Sequence, residues 1–421
     1  MLPPKTTLTL AAFVAAAAVM PNGIHPAQLL STLTLVHRTP APKAVAAVLK
    51  QVPEAKEPIP DLDVPPGSLD AFYASLRAGK VTRILHYGDS PTTADSITSD
   101  IRRLLQKRFG DAGHGFLLVA KPWAWYGHDG IRLDAKGWEV QPASQKRAPD
   151  GIHGLGGVSF IGGEGATSRV GLPDDQSTGA VVYYLAQPGG GAFAVTSGDT
   201  KIVDVNTDGP ATKPAFAEFA LPPGTSSIEL RVTSGKVRLF GYRFDKDRPG
   251  VQYSSIGING AQVQMVLRYF ETEQWTAALQ HENPALIVLN YGTNESIYPS
   301  YVEKQYPDEL RQVIMRIRAA LPNASLLLMG PMDRGTLTGG DIVTPESLED
   351  LIDVQKKVAA ETGCAFFNTF HAMGGAGTMG RWYHAQPRLV SADFMHPMPA
   401  GAAKVGALFE GALVESYQAS R

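Results

Sequence analysis

Strand-like and helix-like segments alternate along this chain in two separate stretches, residues 68–110 and residues 254–421, and a stretch of different texture lies between them. Short apolar runs alternating with 3.6-residue apolar stripes are the pattern of a parallel sheet wound on both faces by helices. In the first stretch, residues 68–76 read as a short capped helix and residues 81–85 as a strand. Ile97, Ile101, Leu104, Leu105 and Phe109 then share one helix face that Gly110 closes. In the second, residues 255–258, 285–290, 325–329 and 365–370 are strand candidates. Helical stripes run through Leu310, Val313, Ile314 and Ile317, then Leu348, Leu351 and Ile352, then Val405, Leu408, Phe409, Ala412 and Leu413. Between the two stretches no long helical period appears. Glycine-rich turns separate β-prone runs at 181–185, 193–195, 201–205, 228–232 and 237–244, a spacing that predicts a β-sandwich or jelly roll. Residues 116–250 are therefore expected to form a β domain inserted into an α/β body made of residues 68–115 and 251–421.

Composition decides among partner classes. With 44% hydrophobic and 19% charged residues the chain can bury a large core. A formal net charge of −2, with no Lys/Arg tract interleaved with aromatics, argues against nucleic acid. The single cysteine, Cys364, excludes an internal disulfide and a cysteine-based zinc cluster, and its apolar neighbours place it in the core. At the N-terminus Lys5 precedes an apolar run, residues 8–20, shorter than the roughly 20 residues a membrane span needs. Residues 1–22 are expected to be a signal peptide or N-terminal membrane anchor. Residues 23–67 are expected to be a Pro-rich linker. Together they predict an exported protein, periplasmic or attached to the cell envelope.

The first strand runs into His86-Tyr87-Gly88-Asp89-Ser90-Pro91. A serine at a strand-to-helix turn can act as an N-cap, or its oxygen can attack an electrophile while its N–H faces the resulting oxyanion. Pro91 suits the first helical position. Three later segments carry polar residues that a sheet alone does not require: Gly257-Ile258-Asn259-Gly260-Ala261, Tyr291-Gly292-Thr293-Asn294-Glu295 and Ser391-Ala392-Asp393-Phe394-Met395-His396-Pro397. Ligands of doubly wound sheets bind beyond the carboxyl ends of the strands. Acyl transfer through serine needs an imidazole to take the proton and a carboxylate to orient that imidazole. His396 and Asp393 supply these types three residues apart. Donors for the oxyanion would be the N–H groups of Ser90 and Gly260 and the amide of Asn294.

Gly88-Asp89-Ser90, Gly260, Gly292-Thr293-Asn294 and Asp393-x-x-His396 together resemble the SGNH, or GDSL-type, hydrolase superfamily, over residues 81–110 and 254–415. Pro91 stands where the family has leucine. The resemblance implies a flavodoxin-like sheet, a catalytic triad of Ser90, Asp393 and His396, an oxyanion hole of Ser90, Gly260 and Asn294, and no cofactor and no metal. The stretch from His86 to Asp95, the following Arg108-Phe109-Gly110-Asp111-Ala112-Gly113-His114-Gly115-Phe116, and a β insertion directly after it look like bacterial peptidoglycan O-acetylesterases, whose insertion resembles a carbohydrate-binding module. The implied activity is removal of O-acetyl or other short acyl groups from a glycan, most of all peptidoglycan. Two alternatives share these residues: an O-acyltransferase acting on a cell-wall or exported polysaccharide, and a catalytically inactive glycan-binding protein.

Other residues have plainer expectations. Trp123, Trp125 and Tyr126, with Trp138, are candidates for a sugar-stacking platform, weighed against ordinary core packing. Asp95 and Asp100 are expected to be solvated helix residues, and Asp89 to brace its turn. Glu295 could contact substrate or cap a helix. His86 is given no role. His114, His128 and His153 lack a metal-ligand spacing. Gly154, Gly157, Gly162, Gly163 and Gly165 fail the dinucleotide fingerprint and are expected to be turn glycines.

Overall fold

The computed structural model describes residues 61–145 and 147–420. The expected signal peptide or anchor, and the linker up to residue 60, lie outside the described residues. Among the described residues no helix is long and apolar enough to cross a membrane.

Six strands make the central sheet: β1 (Leu62–Asp63), β2 (Val81–Gly88), β3 (Gly250–Gly257), β4 (Leu286–Asn290), β5 (Ser325–Met329) and β6 (Ala365–Phe367). Their spatial order is β1-β6-β5-β4-β2-β3. All neighbours are parallel except β1, a short antiparallel edge on β6. Leaving that edge aside, the parallel strands run 2-1-3-4-5 in chain order, the flavodoxin-like arrangement. Side chains alternate across the sheet as a pleated strand requires. Ile84, Leu286, Val288, Leu327 and Met329 enter one core with α1 (Asp70–Arg77), α3 (Ser96–Phe109) and α7 (Pro399–Ala419). Leu85, Tyr87, Ile287, Leu289, Leu326 and Leu328 enter the other, with α4 (Thr272–Glu282), α5 (Tyr306–Ala320) and α6 (Glu346–Thr362).

Residues 115–245 build a second, nine-stranded sheet whose pairings are all antiparallel. Its apolar residues, among them Phe160, Val170, Leu230 and Phe240, belong to the same core cluster as Leu85 and Tyr87. Each of the five β-prone runs lies within one of its strands. The two longest strands, Arg132–Pro142 and Val158–Gly171, were not expected, because glycine and polar residues break their apolar pattern. Gly162, Gly163 and Gly165 are correspondingly strand residues, not turn residues. The Trp138 ring lies so close to Gly162 that a Cβ there would come within 2.6 Å of it. The ladder between the two strands also slips between Lys136 and Trp138, a bulge that glycine tolerates.

Two boundaries differ from expectation. The first helix is Asp70–Arg77, with no side-chain cap from Ser68. The last strand stops at Phe367, because Asn368 caps a new helical turn by accepting from His371 N.

Candidate active site

β2 lies inside the sheet, with Gly88 in register with Gly257 of β3 on one side and Asn290 of β4 on the other. The strand order reverses here, the position at which doubly wound sheets bind ligands beyond the carboxyl ends of their strands. The chain leaves β2 through Asp89 and enters α2 (Ser90–Thr93), one helical turn with Pro91 near its start. Gly257 permits this close approach, since a Cβ there would sit 2.0 Å from Thr93 N. The turn ends at Asp95, whose backbone is left-handed (φ 52°), and α3 begins in a new direction. The expected single helix after Ser90 is thus two.

His396 arrives from the loop before α7. Ser90 Oγ lies 2.7 Å from His396 Nε2, and His396 Nδ1 lies 2.7 Å from Asp393 Oδ2. Asp393 is fixed by its own loop: Oδ1 accepts from Met395 N (2.9 Å), His396 N (3.0 Å) and the Ser391 hydroxyl. Ser391 N donates to His396 O (2.8 Å), closing the loop. Phe394 between them is held left-handed (φ 58°), a strained conformation costing on the order of 1 kcal/mol. Burial tends to raise the Asp393 pKa, but the hydrogen bond and charge of His396 hold it well below the usual carboxylate range. Burial tends to lower the His396 pKa, and Asp393, with a further contribution from Asp89, outweighs this and raises it.

Gly260 and Asn294 stand on the loops after β3 and β4. Gly260 is exposed and left-handed (φ 68°). The Asn294 amide donates to Ala261 O (2.9 Å) and reaches Asp89 Oδ2 (3.3 Å). Asp89 is buried beside His396, and burial pushes its pKa up to about 6 despite the imidazole's charge and a hydrogen bond from Thr293. The expected brace of the turn is therefore a bridge to the Asn294 loop.

Glu295 neither touches solvent nor caps a helix with its side chain. Oε1 accepts from Val263 N (2.7 Å) and Oε2 from Gly292 N (3.0 Å), so one carboxyl ties together the loops carrying Gly260 and Asn294. Burial pushes its pKa up to about 8, although those two bonds oppose the rise. Glu295→Ala should cost about 2–5 kcal/mol, the loss of acceptors for two buried N–H groups, and lower turnover as both loops relax. Urea denaturation with parallel ester kinetics checks this. Glu295→Gln, which keeps an acceptor oxygen, should lose less on both counts.

Sequence reasoning missed a buried polar cluster behind α2. Asp95 is 3% exposed, not solvated, and receives Arg102 in two contacts (2.5 and 3.1 Å), Thr98 Oγ1 (2.6 Å) and Asp129 N (2.9 Å). Asp100 is buried as well and pairs with Arg103. His114 Nε2 and His128 Nδ1 lie 3.2 Å apart. Donor atoms of Asp95, His114 and His128 all fall within 4.8 Å of one another, a cation-like grouping. The Arg102 guanidinium already occupies the carboxylate, so the cluster does not suit a metal ion and braces the turn under Ser90 instead. The two imidazoles are 14 residues apart and carry no local motif, which is why spacing did not reveal them.

The aromatic candidates separate. Trp123 and Tyr126 are buried, Tyr126 accepting from Leu118 N (2.8 Å), and neither offers a ring face to a ligand. Trp138 is tied to Thr167 O through its indole N–H (2.7 Å). Trp125 alone is exposed (49%), on a turn joined to α2 by Gly127 N donating to Thr93 O (3.4 Å). His86 is fully buried against the Tyr253 hydroxyl (2.7 Å), and burial pushes its pKa down to about 4. His153 accepts from Ala148 N (3.0 Å). Cys364 is a buried free thiol.

The sequence matches the GDSL-like lipase/acylhydrolase family over residues 229–404, a span that contains Gly260, Asn294, Asp393 and His396 but not Ser90. No curated protein sequence matches the chain. Among solved structures, that of a peptidoglycan O-acetylesterase superposes with a TM-score of 0.72 at 22% identity, covering 85% of this chain and 99% of its own. An acetylxylan esterase from Geobacillus stearothermophilus gives 0.30 at 18% identity, covering 39% and 73%. A phospholipase A1 from Streptomyces albidoflavus gives 0.28 at 18% identity, covering 39% and 79%.

Proposed function

We propose that this chain, which matches the GDSL-like lipase/acylhydrolase family over residues 229–404, is an exported serine O-acetylesterase acting on a glycan, with peptidoglycan first among the substrates to try. The observation that carries the proposal is the relay from Ser90 Oγ through His396 to Asp393, two contacts of 2.7 Å each. Ser90 Oγ attacks the ester carbonyl as its proton passes to His396 Nε2, and the carbonyl π pair moves onto oxygen. The Ser90 and Gly260 N–H groups receive that oxyanion. They are joined by the Asn294 N–H that rests on Asp89. Collapse expels the sugar alkoxide, which takes the proton from His396. Water, deprotonated by the same imidazole, then cleaves the acetyl-serine to acetate and restores Ser90. Trp125, exposed on the turn packed against α2, offers an apolar face for a sugar beside the reacting ester.

Incubating the purified protein with O-acetylated peptidoglycan should release acetate, and p-nitrophenyl acetate should be cleaved as well. Acetyl gain by an added glycan acceptor in place of free acetate would instead make it a transferase. No reaction of Ser90 with a fluorophosphonate would leave a binding protein only.

A further inference from the structure

Along the loops that carry Gly260 and Asn294 lies a concavity about 480 Å³ in volume, within the range that takes a small ligand. Its walls continue the two loops already described. Gln262 and Gln264 follow Gly260, while Tyr298, Lys304 and Gln305 follow Asn294 through a 3-10 turn and the short helix Pro299–Lys304. Gln262 belongs to both places, because its Nε2 donates to Asn294 O (3.4 Å).

The lining chemistry is selective. Tyr298 is 55% exposed, a large aromatic left open to solvent. Gln264 Nε2 donates to Gln262 Oε1 (2.6 Å), and Gln264 Oε1 has no partner among the described residues. The lining contains one cation, Lys304, and no carboxylate. The nearby Arg268 is paired with Glu309 (2.6 Å), but Lys304 has no ion-pair partner among the described residues. An open aromatic face, side-chain amides and one unpaired ammonium fit a pyranose ring that carries a negative charge.

We propose that this concavity is a subsite for the sugar next to the acetylated one, and that it favours glycans with a carboxylate on that sugar or on its substituent. Tyr298 stacks on the ring, Gln262 and Gln305 bond its hydroxyl or acetamido groups, and Lys304 meets the carboxylate. The subsite presupposes the glycan esterase activity proposed above. It adds a basis for choosing among glycans, which the Ser90 relay does not contain.

The test uses the full chain on four substrates: p-nitrophenyl acetate, neutral O-acetylated xylan, O-acetylated muropeptides with their carboxylates on the peptide, and O-acetylated alginate with its carboxylates on the ring. Lys304→Met should raise KM roughly fivefold on whichever acidic glycan the protein prefers, with kcat little changed and no comparable rise on xylan. Lys304→Arg should recover most of the loss. Added salt should raise the wild-type KM on the acidic glycan and have little further effect on Lys304→Met. Tyr298→Ala should raise KM about threefold to tenfold on all the glycans relative to p-nitrophenyl acetate. Lys80→Met, which removes an exposed charge elsewhere, should match wild type. The subsite is overturned if Lys304→Met and Tyr298→Ala leave glycan KM unchanged, or shift it by the same factor as for p-nitrophenyl acetate. A wild-type protein that cleaves p-nitrophenyl acetate but none of the glycans overturns the glycan activity itself, and the subsite with it.

Discussion

Ser90→Ala should lower turnover on any ester by about 10⁶, leaving only the residual acceleration that bound donors and substrate positioning provide. The size follows from geometry. The 2.7 Å contact to His396 Nε2 makes the imidazole useful as a base only while the hydroxyl is present to give up its proton. Removing either partner therefore removes the same step, and Ser90→Ala combined with His396→Ala should lose little more than Ser90→Ala alone. Asp89 and Asn294 should stay in place, because neither donates to nor accepts from the Ser90 side chain. The variant should thus keep its thermal midpoint and bind substrate. Steady-state assays with p-nitrophenyl acetate, with fluorophosphonate labelling as a second readout, decide the matter. A variant retaining a tenth of the wild-type rate would take Ser90 out of the chemistry.

The sheet was legible in the sequence because parallel strands buried on both faces, such as β4 and β5, must be apolar runs, and the helices between them must each show one apolar stripe. The strand-end segments were legible because serine, asparagine, aspartate and histidine serve no packing purpose there. What stayed hidden depends on contacts distant in sequence. Glu295 read as a capping or substrate residue because nothing local shows that Val263 N, 32 residues away, would point at its carboxylate. Asp95 resembled any helix-surface aspartate. Thr98 and Arg102 stand three and seven positions on along α3, but only the fold brings the Asp129 N–H to the carboxylate and closes water off from it. Trp123, Trp125 and Tyr126 lie within four positions and share an aromatic character, yet two are core and one is surface. The turn between Trp123 and Tyr126 sorts them, and no periodicity encodes that turn. Gly162 misled for a related reason, since it makes room for the Trp138 ring of the neighbouring strand and does not turn its own chain.

Asp393→Asn should cost about 10⁴ in turnover while leaving the loop folded, and it should move the pH profile. In the native loop Oδ1 accepts from Met395 N, His396 N and Ser391, which leaves Oδ2 to accept the proton on His396 Nδ1. An asparagine that keeps those backbone bonds through its oxygen presents an NH2 group to Nδ1. The imidazole must then accept there and carry its proton on Nε2, facing Ser90 Oγ, where it cannot serve as a base. The pH dependence has a definite sign. The proposed mechanism needs neutral His396, so the rate should rise as pH climbs through the imidazole pKa, which Asp393 holds above its ordinary value against the effect of burial. Without the carboxylate charge, burial prevails over the remaining contribution of Asp89, the pKa falls, and the rising limb of kcat/KM moves to lower pH. Measuring kcat/KM on p-nitrophenyl acetate between pH 4 and pH 9 would show both effects at once. A variant within tenfold of wild type, or one whose limb stays in place, would mean that Asp393 shapes the loop without acting on the imidazole.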